Sequence, residues 1–384
     1  MRLGVGAAMV DGDLVDGDVE VVDGRIAAVG VRAPAGSKIA VPGFVDLQVN
    51  GYAGVDFSAA GEDGHEVAGA ALLADGVTAF QPTIVTAEVE AMVDSVARVR
   101  QVEGGPQVIG VHLEGPFLSP VRPGAHDEAA LRPPDLAVLA ELLAAGRTTS
   151  EADGPAELRS PEDLLPTLTV SQVTLAPELP GAPELIDALV ERGITVSCGH
   201  TDADASAAHL AFDRGASAVT HIFNAMRRPD ARDPGIAFAA LGRDDVFVTA
   251  IVDGHHLADD TVRTIWRAAG DRLVLISDAV AAAAAPDGDY TLGGNVPIHC
   301  EAGVVRNADG SLAGSTVSML DAIRNLHTLG IPLAAALRAA TEAPARMARR
   351  PDLGRIAPGA CADLVVLDDS LELTQVLLAG KSVF

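Results

Sequence analysis

Lysine is almost missing from this 384-residue chain: Lys38 and Lys381 are the only two, one near each end. No carboxylated lysine bridging two metal ions can therefore form in the long segment between them. Cysteine is scarce as well. Cys198, Cys300 and Cys361 are an odd number without CxxC spacing, far from the density of a disulfide-held scaffold, so a reduced, cytoplasmic setting is expected. Cations of both kinds are few, 27 Lys plus Arg against 53 Asp plus Glu, and a net charge of -26 argues against nucleic acid or anionic membranes as partners. No apolar run approaches the ~18 residues of a membrane span. Asp11, Asp13 and Asp16 cut short the apolar patch at the start before it reaches the length of a secretory leader's core.

What is present is ample material for a folded core, with 48% hydrophobic and 21% charged residues. The length suits one ~250-residue barrel with a smaller satellite. Alternating segments flank the Asp23-Gly24 pair, a strong hairpin signal, and residues 354–369 are again β-branched and punctuated by turns. Residues 1–41 and 350–384 are expected to pair into a small β-sandwich domain, with residues 42–349 inserted between them. In that insert, apolar runs at 44–48, 77–83, 108–114, 168–176, 194–200, 218–223, 246–253 and 273–278 alternate with helical patterns such as 88–100, 183–191, 204–214 and 260–269. Eight such units predict an α/β fold, the (β/α)8 TIM barrel. Two segments interrupt it: a polar, turn-rich surface insertion near 142–166 and a β excursion near 287–314. Helical patterns over 315–329 and 333–350 then lead back to the small domain.

Glu114, His200, His221 and Asp278 each end one of these runs, and strand ends on one face of a barrel converge. Taken singly, the Glu fits a salt-bridged rim and each His fits a core residue bonded to backbone. Together, Glu114, His200 and His221 supply three N/O ligands, the set that leaves Zn²⁺ an open position for water. Asp278 is then placed to act as the general base. Its alternative role as a cap on a following helix is weakened by Pro286. Arg227, Arg228 and Arg232 crowd a stretch that reads either as a solvated loop or as a cationic patch for an anion.

Ten segments in one order carry a resemblance: PGFVDLQVNG at 42–51, HLEGPF at 112–117, GAH at 124–126, VTLAPE at 173–178, SCGHTDA at 197–203, THIFNAM at 220–226, ARDPG at 231–235, VDGHH at 252–256, ISDA at 276–279 and LAGST at 312–316. Over nearly its whole length the chain resembles the N-acetylglucosamine-6-phosphate deacetylases of the amidohydrolase superfamily. The resemblance implies metal-dependent removal of acetate from an N-acetylhexosamine 6-phosphate. It gives Glu114, His200 and His221 as metal ligands, Asp278 as the acid/base and His126 as the group that polarises the acetyl carbonyl. The backbone N–H groups of Asn224 and Ala225, with Arg232 and His256, match the part that holds the phosphate. Met319 belongs to the same substrate-binding set. The resemblance also implies a homodimer whose partner subunit supplies some phosphate contacts. Many amidohydrolases carry His-x-His after the first strand, where this chain has Gln48-Val49-Asn50. Amides are poor Zn²⁺ ligands, so one metal ion per chain is expected, with Gln48 and Asn50 bonding water or sugar. N-acetylgalactosamine 6-phosphate, an N-acyl amino acid, or a barrel that binds without catalysing are the alternatives.

Overall fold

The structure is a computed structural model that describes residues 1–31, 36–146 and 169–383. Strands Asp18–Val22 and Arg25–Val31 pair antiparallel across Asp23 and Gly24, whose φ angles of 49° and 75° are those a tight two-residue hairpin turn demands. This hairpin packs on a six-stranded sheet built from both chain ends, in the order Asp13–Asp16, Ala7–Val10, Ile39–Pro42, Leu364–Leu367, Leu373–Leu378, Lys381–Ser382. Val5, Val19 and Ile26 from one end meet Ile356, Leu364 and Leu377 from the other in a separate apolar core. The result is a small β-sandwich.

Between the two ends the chain winds a parallel barrel of eight strands: β1 (Phe44–Val49), β2 (Val77–Val85), β3 (Val111–Glu114), β4 (Val170–Leu175), β5 (Thr195–Cys198), β6 (Ala218–Val219), β7 (Phe247–Ala250) and β8 (Leu273–Leu275). Every residue of β1 and β2 is buried, as expected where helices cover one face of a sheet and the barrel interior the other. The ring closes between β8 and β1. There Val49 bridges Ala279, Asn50 N–H donates to Ala279 O at 2.8 Å, and Asp46 Oδ1 accepts Ser277 N–H at 3.2 Å.

Several expectations need adjusting. Residues 142–145 finish the helix Leu136–Ala145, and the rest of the expected surface insertion, apart from Gly146, lies outside the described residues. The helix expected over 315–329 starts only at Met319, because Ser318 caps it by accepting Asp321 N–H at 3.1 Å. Residues 333–350 form two short helices, Leu333–Arg338 and Glu342–Met347, since Thr341 leaves helical geometry and Pro344 has no N–H to continue the ladder. His65 is buried, with its ring 5.4 Å from Phe57. The excursion after β8 is an antiparallel sheet of Gly288–Leu292, Val296–Glu301 and Val304–Asn307 that packs on Val85 and Val280 at the barrel mouth. Among the described residues no helix is long and apolar enough to cross a membrane.

Candidate active site

Glu114 closes β3, while His200, His221 and Asp278 stand just beyond β5, β6 and β8. These last three have left-handed backbones, with φ of 46°, 32° and 49°. Such conformations cost ~1–3 kcal/mol each and persist where surrounding bonds over-determine them. That is the case here. His200 O accepts Ser119 N–H at 2.9 Å, His221 N–H donates to Thr249 Oγ1 at 2.8 Å, and Asp278 O accepts Ser315 N–H at 2.9 Å.

Glu114 Oε1 lies 3.0 Å from His221 Nε2 and 3.3 Å from His200 Nε2, and the two Nε2 atoms are 3.0 Å apart. His200 gives its Nδ1–H to Arg122 O at 3.2 Å, which leaves Nε2 as the lone-pair side. Burial pushes the Glu114 carboxyl up, but the two histidines beside it outweigh burial and hold the group well below the carboxylate range. Among the described residues this trio is the one cluster fit to hold a metal ion. Two imidazole nitrogens and one carboxylate converging on a point, open on one side, suit a divalent cation.

Asp278 is gripped through one oxygen. Oδ1 accepts Gln48 Nε2–H at 3.0 Å and Asn50 Nδ2–H at 2.7 Å, and Gln48 also donates to Glu114 Oε1 at 3.0 Å. Among the described residues Oδ2 accepts nothing. Burial first, and the Glu114 charge second, raise Asp278 to about 6. Beneath this layer His112 is fully buried between Thr83 Oγ1 (3.1 Å) and Thr174 Oγ1 (2.8 Å), on a polar floor that continues to Thr220 and Ser197. His126 faces the trio from the side. Thr86 N–H donates to its Nδ1 at 3.3 Å, so the ring proton sits on Nε2, 3.7 Å from Glu114 Oε2. Burial first, and the neighbouring His200 second, push His126 down to about 3, and it stays neutral.

Glu114, His126, His200, His221 and Asp278 line a cavity of about 360 Å³. A profile of the amidohydrolase family matches residues 39–383. The chain belongs to the amidohydrolase family. Similar proteins include the N-acetylglucosamine-6-phosphate deacetylase of Homo sapiens, 38% identical over 368 residues, 92% of this chain and 85% of that one. The N-acetylgalactosamine-6-phosphate deacetylase of Escherichia coli O157:H7 is 34% identical over 382 residues, 97% of this chain and 96% of that one. In three dimensions the chain matches a mutant N-acetyl-D-glucosamine-6-phosphate deacetylase from Mycobacterium smegmatis in complex with N-acetyl-D-glucosamine-6-phosphate, with a TM-score of 0.90, 38% identity, and coverage of 100% of this chain and 98% of that one.

In this amidohydrolase the cavity wall beside the trio carries Asn50, Asn224, Ala225 and His256. Gln48, Arg232 and Met319 are not part of it. Gln48 is 1% exposed, with its amide committed to two carboxylates instead of water or sugar. Met319 packs in the core at the start of its helix. Arg232 is exposed on a loop where, among the described residues, Arg227 and not Arg232 is paired, with Asp202 and Asp233. The cavity is also lined by Val85, Leu292, Ser311 and Leu312, which sequence reasoning missed. They are apolar or small residues, three of them from the excursion, and only Leu312 fell within a recognisable segment, LAGST.

Proposed function

We propose that this amidohydrolase hydrolyses the acetamide of N-acetylglucosamine 6-phosphate to glucosamine 6-phosphate and acetate, using one Zn²⁺ ion held by Glu114, His200 and His221. The observation that carries the reading is that Asp278 and His126 line the same cavity as that trio. When bound, the ion supplies Lewis acidity, which lowers the pKa of a water to about 7 and polarises a carbonyl. Asp278, held by two amides with Oδ2 free, takes the proton of the attacking water and returns it to the leaving amine. His126 directs its Nε2–H at the acetyl oxygen as negative charge builds there. Asn50 bonds the sugar, and the backbone N–H groups of Asn224 and Ala225, with His256, meet the phosphate. Arg232, exposed on its own subunit, reaches the cavity of a second copy in a homodimer.

Galactosamine is the second reading, favoured by the likeness to the Escherichia coli N-acetylgalactosamine-6-phosphate deacetylase along 97% of this chain. Steady-state acetate release from both epimeric sugar phosphates, on enzyme whose metal content is measured, decides between them. About one ion per chain is expected. Failure of the metal-loaded enzyme to release acetate from either sugar phosphate rejects the proposal.

A further inference from the structure

His256 reaches the cavity from the loop after β7, and Asp253 fixes its ring from behind. The carboxylate is itself immobilised: Oδ1 accepts the backbone N–H groups of His255 and His256 at 2.8 and 2.9 Å, and Oδ2 meets the ring Nδ1 at 2.7 Å. The side chains of His256 and Asp253 are only 6% and 9% exposed. Burial pushes the Asp253 carboxyl up, but the bonds from His256 and the two backbone donors outweigh it and leave it at about 2. Asp253 is therefore an acceptor only. On the far side of the ring, Nε2 has no partner among the described residues, and His256 lines the cavity beside Asn224 and Ala225.

Donor direction decides the rest. A carboxylate cannot donate, so Nδ1 carries a proton, and a neutral ring then offers Nε2 only as a lone pair, which repels a phosphate oxygen. Only the doubly protonated ring donates on both sides. We infer that Asp253 is a positioning residue for phosphate recognition: it fixes His256 and makes the ring a phosphate donor only as the imidazolium, coupling phosphate binding to a proton on His256. This rests on the sugar-phosphate reading above. The other titratable groups facing the ring are Asp278, Glu114, His126, His200 and His221 around the cavity and Asp260 on the outer side. Asp278, raised to about 6, is already ionised over the range tested, and the ratio between the two substrates cancels what these groups do to the chemistry at the shared amide.

The test measures kcat and KM of metal-loaded enzyme for N-acetylglucosamine 6-phosphate and for N-acetylglucosamine. The range runs upward from about pH 7, where the phosphate (second pKa about 6) is already mostly a dianion. In the wild type, the kcat/KM preference for the phosphorylated sugar is expected to decline with pH, mainly through KM, approaching about tenfold per unit once the ring loses its proton. The amide of Asp253→Asn can donate to Nδ1 and leave a neutral ring with Nε2–H. The preference should then be about tenfold lower near pH 7 and nearly flat with pH. His256→Gln should flatten it too. A pH slope that survives in both variants, or a preference unchanged in Asp253→Asn, overturns the inference while leaving the sugar-phosphate reading intact. A wild type that uses both sugars equally well overturns that reading, and the inference with it.

Discussion

Each side chain at the barrel mouth is aimed by a backbone that has little room to move. Gly124 (φ 60°) shows how little: a Cβ there would sit 2.8 Å from His200 Cε1. Gly124→Ala should push the ring off its line with Glu114 and lower metal occupancy, measured by elemental analysis with the fold checked by circular dichroism. Full occupancy in the variant would show that the ring is not held so closely. Asp278→Asn should keep the metal yet lose ~10²-fold or more of kcat, because an amide can neither take nor return the proton. A variant with wild-type turnover would remove Asp278 from the chemistry. Removing the shorter of its two supports with Asn50→Ala should cost less, about tenfold in kcat, with metal content unchanged. Glu114, His200, His221 and Asp278 were legible because each ends an apolar run, and a barrel leaves strand ends one place to point. The partners of Gln48 were not. Spacing says which side of a strand an amide takes, but not that two carboxylates from β3 and beyond β8 will lie within 3.0 Å of it. Asp253 stayed hidden for the same reason, as its role depends on a ring three residues later turning back toward it.

At the scale of elements, all eight runs became strands because near-continuous apolar segments between helical patterns leave little alternative in a parallel sheet. Their ends were less legible. β6 is only Ala218–Val219, since the left-handed turn at His221 takes the chain out of the sheet before the apolar run is finished. The excursion after β8 was read as β structure, but not as a cavity wall, because nothing in its sequence says it folds back over the mouth. Its fit there is testable at Gly293 (φ 66°), where a Cβ would approach Val85 Cγ2 to 2.7 Å. Gly293→Ala should lift Leu292 from the cavity wall and raise KM several-fold while changing kcat less. Equal KM in wild type and variant would mean that the excursion does not shape the site.

At the scale of the whole molecule, barrel closure places a carboxyl where water cannot reach. Asp46 links β1 to the segment after β8 through Oδ1, while its buried Oδ2 has no partner among the described residues, and burial lifts its pKa from 3.8 to about 7. The folded state therefore holds a proton that the unfolded chain has released. Between about pH 4 and 7 this group's contribution to stability falls as pH rises. Asp46→Asn removes that fall, so its melting temperature should gain on the wild type when pH is raised from about 5 to about 8. An identical difference at both pH values would refute this. The sheet that unites the chain ends has a consequence for biosynthesis. Ile39–Pro42 takes Leu364–Leu367 as one of its two neighbours, so a strand made early must wait for one made late. At about 5–20 residues per second that wait is tens of seconds, during which its edge is open to other chains on the same message. A ribosome that stalls before Leu364 would leave a nascent barrel with one edge of Ile39–Pro42 open, which makes the codons for Leu364–Leu367 a checkpoint for the small domain.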